Sequence, residues 1–319
     1  MDRKAAYRKL SDTEASLPLF LRAWWLDATC GDAWDVVLAK KGDEIHAALP
    51  FLPKRVRGFR ILTQPKLTPF LGPWLRPTGA KSANDYARQK DLMNELIDGL
   101  PPHDHYRQNW SPNVTNWLPF YWRGFAQTTR YTYSLEGLTA SQDLWGGLRD
   151  NIRREIRRAE NRMSIGVADG TLKEFLDLSD LTFKRQGRKP PYSRDYVQRI
   201  DTACADRGCR RIFIARDPEG RQHAGAYIVW TDDSAYYLMG GGDPAVRNSG
   251  AMSLCMWRAI EFAATVTRRF DFEGSMIEPV ERFFRAFGAQ QTPYFNIQKT
   301  PSFILHGLMG LSSVVRTRR

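Results

Sequence analysis

The segment Phe270-Asp-Phe-Glu-Gly-Ser-Met276 places two carboxylates, Asp271 and Glu273, at a strand end ahead of the turn pair Gly274-Ser275. A carboxyl group at the end of a buried strand loses solvation for its charged form. Its pKa rises and it becomes a proton acceptor able to work near neutral pH. Ser275 in the same turn and Tyr237 in the segment Ala235–Met239 add hydroxyls that can donate hydrogen bonds to a developing negative charge. An arginine ion pair is the structural alternative for Glu273, and a place in the core is the alternative for Tyr237.

A second group lies just upstream. Residues 235–251 read AYYLMGGGDPAVRNSGA, a strand running through Gly240 and Gly241 into a helix start. Such a turn can present backbone N–H groups to an anion; it can also be only a geometric device. Lys184, Arg185, Arg188 and Tyr192 gather around Pro190-Pro191, a group suited to gripping a phosphate or carboxylate, with a loop ion-pair cluster as the alternative. The stretch Leu144–Met163 reads as one helix, with Leu144, Leu148, Ile152, Ile156, Ala159 and Met163 as its apolar stripe. Arg149, Arg153, Arg154, Arg157, Arg158 and Arg162 occupy the flank against Asp150, Glu155 and Glu160. That flank is either a solvated face with pairs such as Asp150–Arg153 and Asp150–Arg154, or a surface that tracks phosphates or RNA.

Other chemistries find no support. There is no Gly-x-Ser-x-Gly elbow, Ser/His/Asp set or activated cysteine by spacing, so direct attack is expected in place of a covalent enzyme intermediate. Five scattered histidines and four cysteines without paired spacing give no metal site; reduced thiols are expected. The 319 residues carry 47 Lys+Arg against 35 Asp+Glu, a net charge of +12, and arginines number 35 to 12 lysines. That bias suits an anionic substrate, a nucleic acid or an acidic membrane surface, and arginine-rich codon usage would also produce it. With 42% hydrophobic and 26% charged residues the chain can build ordinary cores. Its polar start and the lack of an apolar run of about 18–20 residues point to a cytoplasmic protein without a membrane span. The apolar tail Pro301–Val315 is expected to pack on the protein, with peripheral membrane contact as the alternative.

These residues need elements to hold them. The first half reads as a helix at Leu17–Ala28, strands at Trp34–Lys40 and Ile45–Phe51, a Pro/Gly-punctuated stretch Arg60–Pro77, a helix from Ser82 and a strand at His105–Gln108. The second half reads more clearly. A strand Tyr131–Leu135 leads to capping boxes at Thr139–Gln142 and Thr171–Glu174. A meander Arg211–Arg216, Gln222–Trp230 and Ala235–Met239 precedes a helix Ala251–Thr265. A strand Phe270–Phe272, a helix Val280–Phe287 and a strand Tyr294–Gln298 follow. Two copies of one α/β unit is the economical architecture, divided near Gln127–Arg130.

The pattern Asp-Phe-Glu-Gly-Ser275 followed by Phe283-Phe-Arg-Ala-Phe-Gly288 resembles the FemAB-type branch of the GNAT superfamily, the BioF2-like acetyltransferase domain. Leu67-Thr-Pro-Phe-Leu-Gly-Pro73, Asn116-Trp-Leu-Pro-Phe-Tyr-Trp122 and Leu181-Thr-Phe-Lys-Arg-Gln-Gly187 extend the resemblance across most of residues 34–299. Arg247-Asn-Ser-Gly250-Ala is similar to the loop with which GNAT acyltransferases hold a pyrophosphate, with Met252 at its last glycine. The resemblance implies an α/β (α+β) fold with mixed sheets: two tandem GNAT-like domains with a cleft between them. The first covers 1–129, with 300–319 packed onto it, and the second covers 130–299 and carries the active site. It further implies transfer of an acyl or aminoacyl group to a small-molecule or peptide amine. The co-substrate is an acyl-CoA or an aminoacyl-tRNA, with no bound cofactor. Gly240, Gly241, Arg247, Ser249 and Gly250 would hold the donor, and Lys184, Arg185, Arg188, Tyr192 and Phe284 the substrate. Arg285, standing where the Fem motif carries lysine, would stabilise charge at the reacting centre beside Glu273, Ser275 and Tyr237. No helical coiled-coil arm is present, which separates this chain from the peptidoglycan-directed Fem ligases. A non-catalytic RNA- or anion-binding protein is the alternative outside the enzymes.

Overall fold

The structure, a computed structural model, describes residues 2–79, 81–138, 143–274 and 276–308. The chain divides into two compact units, Met1–Arg130 with Pro293–Arg319 and Tyr131–Thr292.

In the first unit, helix α1 (Arg3–Thr13) starts behind Asp2, whose carboxylate accepts the Lys4 N–H. Only Ala6, Tyr7 and Leu10 of its apolar residues are buried, too few for the sequence pattern to reveal the helix. The expected helix Leu17–Ala28 is a 3-10 turn, Leu19–Leu21, followed by α2 (Ala23–Cys30), with extended backbone at Arg22 between them. Strands β1 (Asp35–Lys41) and β2 (Glu44–Val56) form an antiparallel hairpin; β3 (Phe59–Thr63) continues it, and β4 (Trp74–Leu75) adds to β2. Helix α3 (Ser82–Asp98) then leads to β5 (His105–Asn109), parallel to β3, and to the short α4 (Leu118–Trp122). Leu92, Met93 and Leu96 of α3 pack with Leu49, Phe51, Tyr106, Trp110 and Phe120 in the core of this unit.

The second unit begins within β6 (Ala126–Glu136). The single helix expected over Leu144–Met163 is three pieces. Helix α5 (Leu144–Gly147) stops where Leu148 takes extended backbone, α6 (Asp150–Arg157) restarts, and Arg158–Arg162 form a π-helical turn. Two adjacent glycines, Gly146 and Gly147, end the first piece. Leu148, Ile152, Ile156 and Ala159 are buried as the stripe requires, but Met163, beyond the π turn, is 40% exposed. The Thr139–Gln142 box lies outside the described residues, and Asp143 caps α5 through the Gly146 N–H.

After β7 (Gly166–Asp169), helix α7 (Leu172–Arg185) opens on the expected Thr171/Glu174 capping box. The Thr171 N–H and the Arg216 guanidinium hold the Glu174 carboxyl down to about 2. Helix α8 (Arg194–Ala205) precedes the meander β8 (Arg210–Arg216), β9 (Gln222–Trp230) and β10 (Ser234–Gly242). Helix α9 (Ala251–Val266), strand β11 (Arg269–Asp271) and helix α10 (Glu278–Arg285) complete the unit. Its strand order is β6-β11-β10-β9-β8-β7, with β10–β11 parallel and the remaining pairs of the unit antiparallel. The last strand, β12 (Gln290–Lys299), runs on into the first unit and pairs Asn296–Lys299 antiparallel with β5.

Strand alternation divides the two faces of β9. Tyr227 meets Phe175 of α7, with ring centroids 5.8 Å apart, while Ala224, Ala226 and Ile228 join α9 residues Leu254, Met256 and Ile260 in the core. The apolar tail does not pack as expected in its described part: Phe303, Ile304 and Leu308 are exposed. No helix among the described residues is long and apolar enough to cross a membrane.

At the centre of the second unit, Asp271 is fully buried and ion-paired to Arg269 at 3.0 Å. Replacing Arg269 with Met leaves that carboxylate in the core without its cation, so the unfolding free energy should fall by about 3–5 kcal/mol in urea titrations at pH 7.

Candidate active site

Strand β10 stays paired with β9 as far as Gly242, but pairs with β11 only through Ser234, Tyr236 and the residue between them. Beyond Tyr236 the parallel strands part, and the wedge between them holds the residues of interest. Tyr237, the first residue past the last pair, packs edge-on against Phe284 of α10 at 5.9 Å. Its hydroxyl lies over Gly240: a Cβ there would sit 1.7 Å from Tyr237 Oη.

On the other side of the wedge, the chain leaving β11 makes a left-handed turn, with φ +58° at both Glu273 and Gly274. Left-handed backbone at a non-glycine residue is costly and survives where surrounding contacts fix it. Here the Glu273 N–H donates to Asp271 Oδ1 at 2.8 Å, and Arg269 and Thr132 hold that same carboxylate. Gly274 has no alternative, because a Cβ would lie 2.3 Å from the Tyr131 carbonyl oxygen. The turn delivers Glu273 with Oε1 buried and no hydrogen-bond partner among the described residues. Burial raises its pKa well above the usual carboxylate range, and the neighbouring Asp271 charge raises it further. Burial also raises the hydroxyl pKa values of Tyr237 and Tyr192, and Glu273 contributes to both shifts. These three side chains therefore share one electrostatic environment, a proton acceptor beside two protonated donors.

Next to them lies a cavity of about 380 Å³. Gly240, Gly241 and Gly242 form one wall, Arg247, Ser249 and Ala251 at the start of α9 a second, and Thr182 and Arg185 of α7 a third. Close packing requires two of its glycines. A Cβ on Gly241 would lie 2.6 Å from the Ser179 backbone nitrogen, and one on Gly250 (φ +84°) would lie 2.3 Å from the Glu155 carbonyl oxygen. Thr182 clips α7 to the strand end, accepting the Gly242 N–H at 3.0 Å. Asp243, the carboxylate in the lining, is neutralised by Arg221 at 2.6 Å. Arg185 and Arg247 form no ion pair with a described residue. Arg185 at the end of α7 and Arg247 shortly before the 16-residue α9 thus put two guanidinium groups without an ion pair on the lining, a positive surface of the kind that suits an anion.

Of the residues singled out in the sequence, Arg185, Tyr237, Gly240, Gly241, Arg247, Ser249 and Phe284 line this cavity. Gly250 caps α9 beside it, and Glu273 and Tyr192 are linked to it through Tyr237. Lys184 and Arg188 are exposed and outside the lining. Arg285 is also outside it: its side chain is half-exposed and its Nε donates to Glu281 Oε1 at 2.9 Å, which itself accepts from the Tyr133 hydroxyl. Ser275 lies outside the described residues. Sequence reasoning missed Thr182, although it precedes Arg185 by three residues and so shares its helix face. It also missed His223, whose Nε2 meets Asp217 at 2.9 Å while Nδ1 has no partner among the described residues.

A separate groove of about 490 Å³ runs along α6 and the π turn, lined by Arg154, Arg157, Arg158 and Arg162 with Asn151, Glu155 and Asn161. The expected Asp150–Arg153 pair forms, whereas Arg154 makes no ion pair with a described residue. Arg157 stacks over Trp145 at 5.5 Å, and Arg158 keeps a buried Nε without a partner among the described residues.

The model of the acetyltransferase (GNAT) domain family matches residues 146–285, which include the wedge, the glycine run and the cavity. This stretch is a GNAT domain. The whole chain also superposes on solved structures. FemX matches with a TM-score of 0.65 at 12% identity, over 96% of this chain and 98% of that one. The tandem GNAT protein from the clavulanic acid biosynthesis pathway matches at 0.51 and 11%, over 92% of each chain. L-PGS from Bacillus licheniformis matches at 0.51 and 10%, over 84% of this chain and 85% of that one. At these identities the likeness establishes the fold alone, which is that of tandem GNAT-like proteins. No curated protein matches the chain in sequence.

The raised pKa of Glu273 has a consequence for stability. The folded state binds this proton more tightly than the unfolded chain, so stability falls as pH rises from the unfolded carboxyl value of about 4.3 through the folded one. Glu273→Gln removes that penalty. Its melting temperature should exceed that of the parent at pH 8, and the difference should shrink toward pH 4 in a thermal-melt series.

Proposed function

We propose that the protein is an N-acyltransferase that moves an acyl group from a CoA thioester to a small-molecule or peptide amine by direct attack. The observation that supports this most is the cavity with two unpaired arginines, Arg185 at the end of α7 and Arg247 ahead of α9, beside the parting of β10 and β11. A diphosphate seated against those arginines and the helix start would let a pantetheine arm run into the wedge toward Tyr237 and Glu273. The acceptor nitrogen forms the new C–N bond as the C–S bond breaks. Glu273 takes the ammonium proton, helped by its raised pKa. The Tyr237 hydroxyl, kept protonated by burial, donates to the carbonyl oxygen or to the departing sulfur. Ser275, which follows Gly274 in the sequence, is proposed as a second donor. Lys184, Arg188 and Phe284 are proposed to contact the substrate, and Arg285 to add positive potential from the α10 end.

The arginine groove on α6 favours a second reading, in which an aminoacyl-tRNA is the donor and the groove follows its backbone. A protein that binds RNA or an anion without turnover is the remaining alternative.

Differential scanning fluorimetry and thiol release against an amine panel separate these readings. Acetyl-CoA at 100 times its Kd should add about 2.7 kcal/mol of stability. Charge reversal at Arg185 and Arg247 together should weaken its binding at least tenfold. Glu273→Gln should keep the fold and lower kcat by roughly 10²-fold or more. If no CoA thioester binds, while charged tRNA binds with log K falling about 0.7 per phosphate contact against log salt, the donor is tRNA. Neutralising Arg154, Arg157 and Arg162 would then flatten that slope.

A further inference from the structure

By spacing alone Cys204 and Cys209 are not a recognisable pair, but the end of helix α8 makes them one. The helix stops at Gly208, whose left-handed backbone (φ +60°) glycine adopts without a Cβ clash. Two hydrogen bonds close the stop: the Gly208 N–H donates to the Ala205 carbonyl at 2.9 Å, and the Cys209 N–H to the Cys204 carbonyl at 3.0 Å. A helix end closed in this way brings together the side chains of the two residues joined by the outer bond, commonly an apolar pair. Here both are thiols.

The contact is held from several directions. Cys209 Sγ turns back over the helix end and donates to the Cys204 carbonyl at 3.4 Å. The Cys209 carbonyl accepts the Trp230 N–H at 3.0 Å, which fixes the residue against β9. Standard bond lengths around the 3.0 Å bond between the two backbones keep the Cα atoms less than about 7 Å apart. That is the limit within which a disulfide can form without backbone movement.

The two thiols are also unequal. Cys204 is buried and Cys209 half-buried. A hydrogen bond from the Cys204 thiol to the Cys209 sulfur lowers the Cys209 pKa, and the positive charge of Arg207 lowers it further. The same bond, together with burial, raises the pKa of Cys204. Asp201, one turn earlier on α8, adds to that rise, although Arg210 pairs with its carboxylate at 3.0 Å. Cys209 is therefore the thiolate that can attack, with a protonated thiol beside it to resolve the product. The other cysteines are held protonated. Burial pushes Cys255 up to about 12, and burial also raises Cys30, whose Sγ donates to the Leu26 carbonyl at 3.1 Å.

We propose that Cys204 and Cys209 form a reversible redox site, converted to an intramolecular disulfide by a hydroperoxide. The Cys209 thiolate attacks a peroxide oxygen, the O–O bond breaks, and a sulfenic acid forms as the leaving oxygen takes up a proton. The Cys204 sulfur then attacks the Cys209 sulfur. The S–S bond forms as the S–O bond breaks, and the Cys204 proton leaves with the hydroxide as water. Each sulfur gives up one electron and the peroxide accepts both. The bridge fastens the end of α8 to the start of the meander, and a dithiol reductant removes it.

The full chain, treated with a small excess of hydrogen peroxide at neutral pH and then unfolded and alkylated, should lose two of its four free thiols. Peptide mapping should find one linkage, Cys204 to Cys209, and dithiothreitol should restore all four thiols. Cys209→Ser should slow the loss of thiols at least tenfold. Cys204→Ser should leave Cys209 as a sulfenic acid that dimedone traps. Should the variant at the buried position fail to fold, the linkage map of the unaltered chain and the Cys209→Ser rate decide the matter. Four unreacted thiols, bridges between chains in place of the internal one, or a linkage through Cys30 or Cys255 would each overturn the proposal. Thiol counts and peptide masses need no acyl donor or acceptor, so the result stands apart from the acyl transfer proposed for the same unit.

Discussion

The Asp271 carboxylate is sealed from solvent between Arg269, Thr132 and the backbone N–H of Glu273, and each of these contacts constrains a different part of the site. Arg269 keeps the charge tolerable in the core, Thr132 ties β11 to β6, and the Glu273 N–H fixes the left-handed turn that sends its own side chain toward Tyr237. Burial raises the Asp271 pKa and the arginine opposes that rise. A neutral side chain at 271 would lack the attraction that holds a costly φ of +58° one step from the chemistry. The wedge between β10 and β11 therefore depends on one buried ion pair. It is a structural device that positions a group with no ion pair of its own.

The cavity beside the wedge depends on missing Cβ atoms. The carbonyl oxygen of Glu155 and the main chain of α7 press against Gly250 and Gly241 at distances no side chain could occupy, and the Tyr237 hydroxyl lies against Gly240. Helices α6 and α7 can thus approach the strand end more closely than ordinary packing allows. The polar groups at the helix start and strand end face a concave, partly open volume bounded by protein on several sides. Electrostatic interactions gain strength in such a volume, because less water is present to screen them.

Much of this was legible in the sequence. The meander β8–β10 and helix α9 are marked by apolar runs bounded by turn residues, which place Tyr237 within β10 and Glu273 just beyond the end of β11. The failures have physical causes. Helix α1 is held by a side-chain cap and three buried apolar residues, too weak a stripe to recognise. The stripe from Leu144 to Met163 has helical spacing throughout, yet Gly146 and Gly147 stop the first helix and the π turn at Arg158–Arg162 shifts the phase, so Met163 ends in solvent. For Arg285, sequence spacing places the residue on a helix but cannot say that Glu281, one turn earlier, will take its guanidinium.

A bias of 35 arginines to 12 lysines says little until the pairing is known. Many of these arginines serve structure: Arg194 bridges Asp177 and Asp180, Arg216 holds Glu174, Arg221 neutralises Asp243 and Arg258 spans Glu160 and Glu261. Such pairs, mostly part-exposed, contribute at most about 1 kcal/mol each, and their far field largely cancels. Among the described residues, Arg154, Arg162, Arg185 and Arg247 carry no carboxylate, and each lines a concavity. An unpaired guanidinium on a convex surface is hydrated and exerts little force. In a recess with low-dielectric walls its field is focused on whatever enters. Arginines without an ion pair to a described residue also lie outside these recesses, such as Arg55, Arg57, Arg188 and Arg282, so a missing carboxylate alone marks no site. It is the missing carboxylate together with a concave wall that sets Arg154, Arg162, Arg185 and Arg247 apart from the bias that codon usage can supply.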